Sequence, residues 1–157
     1  MALSVQVTFD AADPRSLAEF WALALGYEVQ SPPEGFASWD AFCEHIGLPR
    51  ELWDSRSAVI DPSGQGPRLF FQRVPEPKSA KNRVHLDVNA SRHTGGEHGW
   101  RLVLEKADAL VAAGATVVRE VDEPLGRCLV MRDPEGNEFC VSNRCRPRHR
   151  PAVRLSW

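Results

Sequence analysis

Val130-Met131-Arg132-Asp133-Pro134-Glu135-Gly136-Asn137-Glu138-Phe139-Cys140-Val141 consists of two apolar runs on either side of Asp-Pro-Glu-Gly. Proline presets φ and glycine accepts φ > 0, so the segment reads as a tight β-hairpin. In its second strand Phe139 and Val141 point to one face, Glu138 and Cys140 to the other. A second turn of the same kind, Asp61-Pro62-Ser63-Gly64, precedes another apolar run, Leu69-Phe70-Phe71. The repetition predicts one unit used twice, with any chemistry on the polar side of its last strand.

Working outward from the hairpin, each half of the chain reads strand, helix, three strands. Residues 4–10 alternate, with Val5, Val7 and Phe9 on one face and Gln6, Thr8 and Asp10 on the other, as in a half-buried strand. Asp13-Pro14 opens a helix as N-cap and first helical residue. Leu17, Phe20, Trp21, Ala24 and Leu25 form its apolar stripe, and Gly26 stops it. Strands follow at 27–30, 57–60 and 69–74. Pro75-Glu76-Pro77-Lys78-Ser79-Ala80-Lys81 is a linker. Beyond it Arg83–Val88 alternates, with Val84, Leu86 and Val88 inward and Arg83, His85 and Asp87 opposite. Ser91–Gly99 reads as a polar loop. Trp100–Ala113 reads as a helix burying Leu102, Val103, Ala107, Leu110 and Val111, closed by Gly114, with strands at 115–121, 127–131 and 137–142.

Residues 32–54 interrupt the β pattern. Ser38–Gly47 suits a short helix, and Phe36, Trp39, Phe42 and Trp53 make an aromatic set. Two readings stand: a lid over a pocket, or a cap on an exposed core edge.

The totals exclude little but bound the class. At 157 residues the chain fits one domain, or two small modules that share a core. Its net charge of −2 is neutral as to most partners. Arg144, Arg146, Arg148, Arg150 and Arg154 concentrate in a tail that contains no acid. The tail lacks the lysines and interleaved aromatics of a nucleic-acid arm, so no nucleic-acid partner is expected. No apolar run is long enough to span a bilayer, so no transmembrane helix is expected, and Met1–Gln6 lack the basic and apolar regions expected of a signal peptide. The four cysteines form no C-x-x-C pair. Reduced thiols in a cytoplasm are expected; Cys128 and Cys140 fall on neighbouring strands with no evident common face, so no disulfide between them is expected. His93 and His98 read as loop residues, His45 as a helix end and His149 as part of the tail.

With the duplicated unit in view, a family can be named. Val7-Thr8-Phe9-Asp10 with Asp13-Pro14, Leu17–Trp21 and Leu25-Gly26 resembles the start of a vicinal-oxygen-chelate (glyoxalase/bleomycin-resistance/dioxygenase) protein. Leu69–Lys78, Asn82–Asp87 and Asp133–Cys140 are similar to its actinobacterial glyoxalase-like domain branch. The resemblance covers roughly residues 4–143, excepting the insert and the tail. It implies an α+β fold of two βαβββ modules whose curved mixed sheets surround a shared cavity. The modules would be 1–77, with the helical insert 32–54, and 78–143; 144–157 would be the Arg-rich C-terminal tail.

Metal-dependent members of that family place one ligand on the first and one on the last strand of each module. Carried over, these positions are Gln6, Gln72, His85 and Cys140. Two carboxamides, an imidazole and a thiol that must deprotonate make at most a weak zinc-type site. No resident metal or other cofactor is therefore expected beyond a weakly held divalent ion.

The remaining polar groups suit proton transfer or binding. His85 is the candidate base, with Asp87 and Glu138 orienting it or sharing its proton; equally, these groups form a polar wall or brace the hairpin. Gln6, Thr8, Asp10, Gln72, Arg83 and Cys140 are candidate substrate contacts, with Phe70 and Trp39 as apolar walls. The expectation is a glyoxalase-like protein that takes a small organic molecule, acting as a lyase or isomerase. The alternative is a non-catalytic drug- or metabolite-binding protein of the same fold. The oligomeric state is open, a homodimer included.

Overall fold

The computed structural model describes residues 3–92, 94–123 and 126–143. The Arg-rich tail with Cys145 and His149, and also His93, lie outside the described residues.

In the first half β1 (Gln6–Ala11) leads into α1 (Pro14–Leu25), followed by β2 (Glu28–Val29), β3 (Arg56–Ile60) and β4 (Arg68–Arg73). Between β2 and β3 lie α2 (Trp39–His45) and a 3₁₀ turn (Arg50–Leu52). The second half runs β5 (Asp87–Asn89), α3 (Gly96–Ala112), β6 (Thr116–Glu123), β7 (Gly126–Arg132) and β8 (Glu138–Ser142). The fold is α+β, with two four-stranded mixed sheets ordered β1-β4-β3-β2 and β5-β8-β7-β6. In each sheet the first strand lies parallel to the last, a pairing that needs a long crossover; the helix and two further strands supply it.

Local chemistry accounts for these elements. Asp13 caps α1 by accepting from Ser16 N at 3.2 Å, and Pro14 stands at the first helical position. Both Asp-Pro-x-Gly turns close as expected: Gly64 N donates to Asp61 O and Gly136 N to Asp133 O, each at 2.9 Å. Both glycines hold positive φ, 69° and 85°, where a side chain would be strained. The two halves also share one core. Trp21 of α1 lies between Phe9 of β1 and Phe139 of β8, with ring centroids 5.2 Å from each.

The hairpin at 133–136 does more than turn the chain. Glu135 accepts from Ala12 N and Asp13 N, both at 2.8 Å, at the entry to α1. Asp133 is 3 % exposed and accepts from Trp21 Nε1 at 3.2 Å. Two carboxylates of the second half thus grip the backbone and the indole of the first.

Four expectations need correction. Residues 83–86 are not strand, and Val84 is 77 % exposed rather than inward. Asn82 N donates to the Glu138 carboxylate rather than to a neighbouring strand, and β8 bonds this segment at Leu86 O, which accepts from Cys140 N. Helix α3 begins at Gly96, inside the expected loop, so Glu97 and His98 belong to its first turn. Gly99 permits this start: a Cβ there would lie 1.9 Å from Thr94 O. The buried stripe of α3 is Trp100, Val103, Ala107 and Leu110, while Val111 is 46 % exposed and Leu102 half-buried. Finally, Cys128 and Cys140 do share a face, because Cys128 pairs with Ser142 and Val130 with Cys140 across β7 and β8. Both thiols are free and buried.

Candidate functional site

The outward face of the first sheet carries Gln6, Thr8 and Asp10 of β1 opposite Arg68, Phe70 and Gln72 of β4, with Arg56 and Ala58 of β3 beyond them. The 32–54 insert lies over the Arg68–Phe70 side of this face and borders, with it, a solvent-open cavity of about 630 Å³. Ser38 starts α2 by accepting from Ala41 N at 3.1 Å. Trp39 Nε1 donates to Gln30 O and Trp53 Nε1 to Leu48 O, each at 2.8 Å, so both indoles are tied down. Trp39 packs edge-on against Phe42 with centroids 5.9 Å apart, and both line the cavity with Trp53 and Phe70. Phe36 packs edge-on against Phe42 and tilted against His45 instead and does not line it.

Arg68 is the half-buried cation in the lining of that cavity, and it was not among the candidate residues expected from the sequence. Its Nε donates to Gln30 Oε1 at 2.8 Å, its Nη1 to Gln6 Oε1, and its Cζ lies 5.1 Å from the Phe70 ring centroid. Burial lowers its pKa, but a guanidinium stays charged at any ordinary pH. The signal was present: Arg68 precedes Phe70 by two residues and so shares its face. An expected strand start at Leu69 left it out.

A second cavity, about 440 Å³, lies where β1 meets the segment leading to β5. Thr8 and Asp10 from the first half and His85 and Glu138 from the second all line it. The structure therefore brings these four expected residues together across the two halves. It places Phe70 and Trp39 at the other cavity, while Gln6, Gln72, Arg83 and Cys140 line neither. Gln72 Nε2 donates to Asp10 at 2.9 Å, and Arg83 is exposed.

Electrostatics separate the three expected proton-transfer residues. His85 Nδ1 lies 3.6 Å from Asp87 Oδ1, an ion-pair approach longer than a hydrogen bond. The Glu138 carboxylate accepts from Asn82 N at 2.9 Å, and this bond, with Lys78, Arg132 and Lys81 nearby, holds it below the usual carboxylate range. A carboxylate so placed is a poor base and a good brace. Its contribution to folding is present above the ordinary value of 4.5 and fades as pH falls through the lower folded value. The stability advantage of wild type over Glu138→Gln should accordingly be visible in urea unfolding near pH 7 and shrink near pH 3. An advantage that grew on acidification would refute this placement.

His85, Asp87 and Cys140 form the one metal-competent cluster found among the described residues, their donor atoms all within 4.8 Å of one another. Asp87 is the donor that the sequence reading did not count as a ligand, although it lies two residues from His85 and pairs with Cys140 across β5 and β8. The donor set fits a zinc-type ion, which would act as a Lewis acid if bound. These three side chains would hold it. Burial, then Cys128 and Asp87, push the Cys140 thiol up to about 12, so ligation would first have to draw off its proton. Asp10 of the other sheet is not part of this cluster. Because Asp10 pairs with Gln72 as Asp87 does with Cys140, the position matching His85 is Thr8; Gln6 lies two residues further, opposite Arg68.

The comparisons with known proteins follow the fold. A family model described as a glyoxalase-like domain matches residues 6–142. No curated protein matches the sequence. Among solved structures, a glyoxalase/bleomycin resistance protein/dioxygenase family enzyme from Burkholderia phytofirmans is 16% identical, with a TM-score of 0.57, covering 87% of this chain and 94% of its own. The bleomycin-binding protein from Streptomyces verticillus, complexed with copper(II)-bleomycin, is 19% identical with a TM-score of 0.50, covering 90% of this chain and 95% of its own. A hypothetical protein from S. aureus is 15% identical with a TM-score of 0.56, covering 90% and 97%. At these identities the likeness concerns the fold alone. The family match over nearly the whole described chain shows that this protein belongs to the glyoxalase-like domain family.

Proposed function

We propose that this protein binds a small organic molecule in the cavity beneath the 32–54 insert and holds it without chemical change. One observation carries the reading: about 630 Å³ of space, walled by Trp39, Phe42, Trp53 and Phe70, with no histidine among the described residues that line it. That volume and that apolar make-up suit a ligand of drug size. The insert acts as the lid that its aromatic content allowed, and the sheet face is the floor. The Streptomyces verticillus protein, on the same fold, is a binder of a small molecule, which is in keeping with this use.

A second reading rests on His85. In the smaller cavity His85 is the base of a lyase or isomerase, and Asp87 orients its ring. Thr8 and Asp10 face the same space and are its substrate contacts.

One set of measurements separates the two. The full chain is titrated calorimetrically with the planar probes 2-naphthamide and 2-naphthoate, and assayed on a hemithioacetal with divalent metals. Binding is expected at one site per chain, weakened about tenfold or more by Phe42→Ala with Phe70→Ala and unchanged by His85→Ala. No heat from either probe at millimolar concentration would overturn the binding reading. Turnover that is abolished by His85→Ala would replace it with the second.

A further inference from the structure

The charges around the larger cavity are unevenly placed. Arg15 is already paired with Asp54 at 2.7 Å. Glu19 and Asp40 stand at exposed positions on α1 and α2, and Arg56 is exposed on β3. Arg68 alone of the five charged residues in the lining is half-buried, on the sheet that forms the floor. Among the described residues no carboxylate pairs with it. Its two partners, Gln30 and Gln6, are neutral amides. They orient the guanidinium and leave its charge uncancelled.

A half-buried cation with neutral partners is a poor use of a guanidinium in the absence of an anion. Desolvation has removed part of its water, and no counter-charge replaces it. The geometry leaves room for one. Nε and one N–H of Nη1 are engaged, while the remaining N–H groups are free to form the paired contacts with which arginine receives a carboxylate. Beside it, the Phe70 ring lies under the guanidinium at 5.1 Å, and Trp39 and Phe42 line the same cavity from the lid. A flat apolar body therefore has its walls next to the cation that would hold its charged end.

Resting on the binding function proposed above, we propose that the ligand of this cavity is a planar aromatic carboxylate, its ring against Trp39, Phe42 and Phe70 and its carboxylate on Arg68. Gln6 and Gln30 are positioning residues that aim the guanidinium. The proposal gives Gln6 a role unrelated to metal binding. It also gives the ligand a defined direction, with its charge toward the sheet and its ring toward the lid.

The same two probes test it, because 2-naphthoate and 2-naphthamide differ in charge and hardly in shape. Wild type should bind 2-naphthoate about tenfold or more tighter than 2-naphthamide, the scale of one charge-assisted contact. Arg68→Gln should remove that difference. Arg68→Lys, which keeps the charge and loses the fork, should keep part of it, and it serves if Arg68→Gln does not melt cooperatively. Equal affinity of wild type for both probes would overturn the carboxylate assignment and leave the cavity reading standing. Binding of neither would end both. A preference that survives Arg68→Gln and disappears in Arg56→Gln would move the anion to the rim and refute the role of Arg68.

Discussion

Replacing Asp133 with alanine is expected to lower the stability of the whole chain by about 3 kcal/mol or more, the scale of several buried donors left without an acceptor. The carboxylate is 3 % exposed and accepts from Trp21 Nε1, Glu135 N, Asn137 N and twice from Asn137 Nδ2, at 2.9–3.2 Å. Burial pushes its pKa up, and the bonds from Asn137, Trp21 and Glu135 oppose that shift. Alanine would leave the buried indole N–H and the part-buried Glu135 and Asn137 donors without that acceptor. Asp133→Asn should also destabilise, because an amide nitrogen would face the Trp21 and Asn137 N–H groups, donor against donor. Urea unfolding followed by circular dichroism gives the number. A loss below about 1 kcal/mol for the alanine variant would show that these bonds re-form with water or elsewhere.

Phe139→Ala should cost about as much by a different route, roughly 3–5 kcal/mol, the usual range for emptying a buried phenylalanine site. Phe139 has no exposed surface, and it stands edge-on to both Phe20 at 5.9 Å and Trp21 at 5.2 Å. These contacts join β8 of one half to α1 of the other, so the void would open between the halves. Phe139→Leu, which keeps most of the volume and loses the edge-on geometry, should cost about 1–1.5 kcal/mol. An alanine variant within about 1 kcal/mol of wild type would mean that α1 settles onto the sheet without the ring. The Asp133 and Phe139 variants share Trp21 as a neighbour, so their effects should not add.

Where the residues of an element determine its surroundings, the sequence was readable. Asp13, Pro14 and Gly26 bounded α1, and the Leu17, Phe20, Trp21 and Ala24 stripe is its buried face. Alternation placed Gln6, Thr8 and Asp10 on one side of β1, and there they are. The misplacements fall where a partner distant in the chain takes over. Val84 follows the alternation of a strand, yet the neighbouring Asn82 N is drawn to a carboxylate 56 residues away, so the ladder does not start until later. The Gly95-Gly96 pair looked like loop, yet the helix begins there because Gly99 can approach Thr94 closely. Arg68 was hidden by one residue at a strand boundary, the least certain part of any pattern.

The candidate site divides in the same way. Periodicity put the polar residues of β1 and β4 on a common face, and the aromatic richness of 32–54 marked the insert as a lid or a cap. Neither could show that the insert lies over Arg68 and Phe70 rather than over His85, since a loop has no period that points to a distant surface. The two-cavity arrangement, with aromatic walls at one and the His85 group at the other, comes from that packing alone.

The hairpin at 130–141 shows both sides of this division. Its proline, glycine and flanking alternation determine a turn and two strands, because those preferences act within a few residues. The same four turn residues also hold Glu135 on Ala12 N and Asp13 N and Asp133 on Trp21, across 123, 122 and 112 residues of chain. No local preference encodes such bonds. They form only after the shared core has set α1 against β8, when a backbone N–H and a carboxylate at that junction would each be costly to leave unpaired.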